Sequence, residues 1–170
     1  MIQRIQSLWL LLASLSVCLL SFFPVATFAP NENTPGVVFS FYAYGLDYVP
    51  AFSDMLDGLY TSLLKYTVVA VLLVCAVTPF IAIFIYRNRP RQVQLARLTM
   101  LLNAALMVAF FMLSDFFANL GTAFFTEEKI LLINYNVGIY APIAALVFLW
   151  LSVRYIKKDD KLVRSADRIR

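Results

Sequence analysis

The chain has 170 residues, 62 % of them apolar and only 14 % charged, with a net charge of +4 and no histidine. An average soluble domain is roughly 45–50 % apolar and about 25 % charged, so fourteen basic and ten acidic side chains are too few to clothe a water-facing globule of this size. Without histidine there is no imidazole metal site, histidine-ligated haem, Ser-His-Asp catalysis or histidine proton relay.

In chain order, residues 7–29 carry no charge and stop at Pro30. They are predicted as the first span, since about 20 apolar residues cross about 30 Å of hydrocarbon. Arg4 and the small residues Ala26 and Ala29 give this run a signal-peptide look. Its apolar length exceeds the usual ~7–15 residues, so a retained helix is expected. Residues 62–86 form the second span, apolar apart from Lys65 and stopped by Arg87. Residues 98–120 form the third, interrupted by Asn103 and Asp115, and residues 137–156 the fourth, broken only by Arg154. Cys18 and Cys75 both fall inside apolar runs, where a thiol behaves as a small buried apolar group.

Twelve of the fourteen basic residues fall on one side of these spans: Arg4, the link 87–97 and the end of the chain from Arg154. Only Lys65 and Lys129 fall on the other. The positive-inside rule then places both termini, the loop 87–97 and the tail 157–170 in the cytoplasm. The outer segments are residues 30–61 and 122–136. Val37, Phe39 and Phe41 alternate in one, and Leu131, Ile133 and Tyr135 in the other, which reads as strand. Two arrangements fit: strands that pair with each other above the bundle, or irregular loops whose aromatics dip into the headgroup layer. The expected fold is an all-α membrane protein of one integral domain, residues 1–170. It is a four-helix transmembrane bundle with a small extracytoplasmic cap, for which short β-strands are one of those two arrangements.

Several segments carry a resemblance. Met1-Ile2-Gln3-Arg4-Ile5-Gln6 runs directly into the first apolar stretch, and Ile85-Tyr86-Arg87-Asn88-Arg89 with Gln92 marks the second turn. Tyr140-Ala141-Pro142 precedes the last span, and a patterned tail runs from Ile156-Lys157-Lys158-Asp159-Asp160-Lys161 to Arg170. Together they resemble a family of four-span inner-membrane proteins of Bacteroidota, known only as domain of unknown function 4293. The resemblance covers the whole chain and is strongest in the tail. Ser152-Val153-Arg154 stands where Ala-Asn-Arg is expected, and Asp160 where Glu is usual. It implies a bacterial inner-membrane location and topology, and no activity.

Three groups of residues are candidates for a role. The tail, read as a helix, carries Lys157, Lys158, Lys161, Arg164, Asp167, Arg168 and Arg170 around an apolar side. A topology anchor, a docking site for a partner protein and a contact with anionic lipid all fit it. The inner loop offers Arg87, Arg89 and Arg91, either as a stop-transfer signal or as a clamp on a phosphate or carboxylate. Within the spans, Lys65 and Asp115 stand near the outer boundary, where an interhelical ion pair, plain solvation or an ion path fits. Asn103 reads as an interhelical hydrogen bond.

No enzyme is expected: paired carboxylates at catalytic spacing, a glycine-rich phosphate loop and a metal-ligand cluster are all missing from the sequence. No cofactor and no nucleic-acid partner is expected either. The expected partners are the phospholipid bilayer and a larger integral membrane complex, of which this chain is an accessory or structural subunit. A small transporter or a lipid- or quinone-binding carrier is the alternative.

Overall fold

A computed structural model describes residues 2–30, 39–47, 59–86, 88–124 and 131–167. Helix α1 is Ile2–Leu19, α2 is Leu59–Phe84, α3 is Arg89–Phe124 and α4 is Tyr140–Asp167. Strands β1 (Ala26–Pro30), β2 (Phe39–Tyr42), β3 (Gly45–Asp47) and β4 (Leu131–Tyr135) build one antiparallel sheet in the order β3-β2-β1-β4. A single 3-10 turn, Val137–Ile139, leads from β4 into α4.

Three helices contain stretches long and apolar enough to cross a membrane: Tyr66–Phe84, Arg89–Asn119 and Val137–Val163. The apolar part of α1, Ile5–Leu19, is shorter. The run 7–29 therefore does not form one helix, as the sequence suggested. It divides. Residues 20–22 close the helix with i→i−3 bonds, from the Leu20 amide to Val17, Ser21 to Cys18 and Phe22 to Leu19. Pro24 then keeps the residue before it out of helical geometry. Val25 and the β-branched Thr27 continue into a strand instead, the Val25 amide donating to the Phe41 carbonyl at 2.7 Å.

That division also corrects the expected pairing in the sheet. The segments containing Phe41 and Ile133 do not pair with each other; β1 lies between them, with Ala26 opposite both Phe41 and Tyr135. Val37 lies outside the described residues. The sheet turns Ala26, Phe28 and Phe41 onto the end of the bundle, where they are buried. Phe41 packs against Phe110 and Phe117, with ring centroids 6.0 and 5.3 Å apart.

The helices pack along stripes spaced alternately three and four residues. On α3 the buried positions run Gln92, Ala96, Thr99, Asn103, Leu106 and Phe110; on α4 they run Ala145, Leu149, Ser152, Ile156 and Asp159. On α2 they are Leu72, Cys75, Pro79 and Ala82, and on α1 Gln6, Leu10, Ala13 and Val17, followed by Leu20 in the closing turn. This is the spacing of knobs-into-holes packing, with many small residues that let backbones approach closely in the absence of a hydrophobic drive between helices. The opposite faces present Leu73, Phe80, Phe84, Leu101, Met112 and Trp150 outward, as a lipid-facing surface would.

Two apolar clusters result. The larger joins the sheet to the upper bundle through Val17, Phe28, Phe41, Cys75, Phe110 and Ala145; the smaller gathers Leu10, Ala13, Ala82, Ala96, Leu149 and Val153 at the other end. A polar layer falls between them. Ser14 donates to the Ala76 carbonyl at 2.7 Å, and the hydroxyls of Thr78 and Thr99 lie 2.9 Å apart. Pro79 sits in the same layer, inside α2, and removes one helical amide there.

Candidate functional site: the basic end of the bundle

Contacts between helix ends bring the start of α1, the α2–α3 turn and the end of α4 together, opposite the sheet. Gln6 Nε2 donates to the Tyr155 carbonyl at 3.3 Å, tying α1 to α4. Gln92, almost fully buried, donates from Nε2 to the Ala82 carbonyl at 3.0 Å, joining the Ile85 amide on that oxygen at the end of α2. Asn88 caps α3: its Oδ1 accepts the Arg91 amide at 3.4 Å, and its carbonyl accepts the Gln92 amide at 3.0 Å. Pro90 falls in the first turn, where its missing N–H costs nothing.

Residues 89–97 are therefore helical, not loop as the sequence suggested, and the link contracts to the turn around Asn88. Arg89 and Arg91 stand about 200° apart around the helix axis and do not converge. Arg89 turns inward and pairs with Asp159 of α4, Nη2 to Oδ2 at 2.9 Å, while Nη1 donates to the Asp159 carbonyl at 3.3 Å. Arg91 points outward and is exposed. Arg87 lies outside the described residues, so a three-arginine clamp is not assembled among those described.

A groove of about 270 Å³ opens between α3 and α4 beside the Arg89–Asp159 pair. Arg89, Val93 and Arg97 line one wall at intervals of four, and Ile156, Lys157 and Asp160 line the other. Arg97 and Lys157 are exposed, and Asp160 has a partner of its own. Further along α4 the Arg154 guanidinium lies 5.5 Å from the Trp150 ring centroid, a cation–π contact at an exposed position.

A family model described as Domain of unknown function (DUF4293) matches residues 2–169. The chain belongs to that family. No curated protein and no solved structure matches it.

The DUF4293 chain continues α4 beyond the groove. Lys157, Lys158 and Lys161 are exposed on it, and so are Leu162 and Val163, at 49 % and 43 %. The side chains of Arg4, Arg164 and Asp167 lie outside the described residues, as do Arg168 and Arg170 altogether.

At the sheet end, Asp115 is exposed and the side chain of Lys65 lies outside the described residues. Burial, and then the Asp115 carboxylate, hold the Tyr135 phenol above its ordinary range. Tyr135 also packs edge-on against Phe111, one turn from Asp115.

Asn103 is fully buried, yet neither its Oδ1 nor its Nδ2 has a hydrogen-bond partner among the described residues. The interhelical bond expected of it is made one turn away, between Thr78 and Thr99. The sequence places Arg97 in the basic link and Asp159 in the tail, but neither stood among the candidate site residues. The signal was present: Arg89, Val93 and Arg97 share one helix face at i, i+4 and i+8, but only once the segment is read as helix.

Proposed function

We propose that this protein is a non-catalytic accessory subunit of a larger inner-membrane assembly, docked through its basic end. On this reading it is a four-span protein of the bacterial inner membrane, of the Bacteroidota type. Both termini face the cytoplasm and the sheet lies on the far side. The support for orientation is the crowding of basic residues at one end, which the positive-inside rule assigns to the cytoplasm.

The observation that carries the docking role is the course of α4. Its 28 residues measure about 42 Å, against about 30 Å of hydrocarbon. The inward stripe Ser152, Ile156 and Asp159 continues at the same spacing to Val163, which emerges exposed beside Leu162. A helix that prolongs its packing stripe past its own bundle offers apolar contacts ringed by lysines. Acids and bases alternate there, which suits a protein surface of complementary charge better than bare anionic lipid.

Deleting residues 162–170 is expected to release a co-purifying membrane partner under gentle detergent while the bundle stays inserted. A truncated protein that keeps every partner of the intact chain overturns the assignment. The small carrier then becomes the better reading.

A further inference from the structure

The groove between α3 and α4 has a use that the docking role leaves open. We infer that it is a binding site for the headgroup phosphate of an anionic phospholipid. The inference requires only that the bundle sits in a membrane, and it stands or falls separately from the accessory-subunit reading.

Three features select this ligand. The first is charge. Arg97 and Lys157 face each other across the groove mouth, exposed and without an ion-pair partner among the described residues, while the third cation, Arg89, is held by Asp159. Its guanidinium is thereby held at the groove wall. A phosphate suits the pairing of a planar guanidinium with a lysine point charge.

The second is the surface that leads away from it. Moving from the groove toward the sheet end, α3 presents Leu101, four residues on from Arg97 and exposed at 71 %, and α4 presents Trp150, seven residues before Lys157. A headgroup seated between Arg97 and Lys157 directs its acyl chains onto this apolar face. A free anion has no use for it. The third is depth: Arg154 lies over Trp150, the arrangement of an amphipathic ring and a snorkelling cation at the membrane–water boundary. The groove residues of α4, Ile156, Lys157 and Asp160, lie about two to three turns beyond that ring, at the level of lipid headgroups. Basic pockets between membrane helices are a recognised place for such headgroups.

Trp150 supplies the probe, because the chain contains only one other tryptophan, Trp9. The full-length chain carrying Trp9→Phe is reconstituted in phosphatidylcholine vesicles containing a small fraction of brominated phosphatidylglycerol or, separately, of brominated phosphatidylcholine. Bromine on the acyl chain quenches Trp150 on contact. The anionic lipid is expected to quench several-fold more effectively at equal fraction. The Arg97→Gln/Lys157→Gln variant is expected to lose that preference, while Arg91→Gln/Lys158→Gln, which removes the same charge from outside the groove, keeps it. Equal quenching by the two lipids overturns the inference, as does a preference that survives in the groove variant or disappears equally in the control. Inorganic phosphate, matched against chloride for ionic strength, is expected to leave the preference intact. If it abolishes the preference, the groove takes free phosphate and the lipid assignment is wrong.

Discussion

Gly138 leaves no room for a side chain. A Cβ there falls 2.5 Å from the Pro24 carbonyl oxygen and 2.9 Å from that of Phe23, both backbone atoms. The approach is close because the Gly138 amide donates to Pro24 at 3.1 Å while the Asn136 amide donates to Val25 at 3.0 Å, sewing the start of α4 to the exit of α1. Gly138→Ala is therefore expected to destabilise the protein by about 2 kcal/mol, as overpacking does. Unfolding of the detergent-solubilised protein measures this; a variant as stable as the parent refutes the tight contact. Asn103 poses the opposite case, a buried amide whose polar atoms find no partner among the described residues. An unmet buried polar group costs about 1–3 kcal/mol, so Asn103→Leu is expected to be neutral or stabilising in the same assay. A clear loss of stability shows instead that the amide is satisfied within the bundle. The glycine gave no warning in the sequence, since close approach is a property of two distant segments. The asparagine did, by being polar at a packing position, but its partner was not legible.

Helices α2 and α4 were legible because each contains a long apolar run, and their starts fell within a few residues of expectation. Helix α1 misled because hydropathy scores composition and is blind to backbone pairing. Val25, Ala26 and Phe28 are as apolar in a buried strand as in a span, and only Pro24 marked the change. Residues 89–97 misled in the other direction, since charge suggested a loop while the Asn88 cap and Pro90 together begin a helix. The lock between those two elements is the Arg89–Asp159 pair, with side chains 21 % and 12 % exposed. Arg89→Leu is expected to cost about 1–3 kcal/mol, between the values for exposed and buried pairs, and adding Asp159→Leu should restore much of it. A double-mutant cycle with no coupling energy refutes the lock.

For the molecule as a whole, the grouping of basic residues was readable from the chain alone, because it depends on counts and positions rather than on contacts. The structure adds that helix-to-helix contacts gather Gln6, Gln92, Arg89 and Asp159 at one end and the sheet at the other. Which end faces the cytoplasm is a separate question. The exposed Ser165, changed to Cys, is expected to react with a membrane-impermeant maleimide only after the cells are opened. Labelling of intact spheroplasts from the outside reverses the orientation and with it the proposed docking face. The groove was not legible in the sequence because its walls come from segments some sixty residues apart, and no spacing rule links Arg97 to Lys157.

The strand order β3-β2-β1-β4 has a consequence for how the protein is made. Strand β1 follows the shortest apolar helix, and its second neighbour, β4, is contributed by residues 131–135. A ribosome adds about 5–20 residues per second, so for several seconds the first helix stands in the insertion machinery with one edge of its strand unpaired. An open, apolar strand edge invites pairing with other chains. The early nascent chain must then be held, by the translocation apparatus or a chaperone, until α3 is in place and β4 arrives. A ribosome stalled between α3 and β4 would leave an aggregation-prone intermediate, and the last strand to emerge is the one that seals the first helix into the molecule.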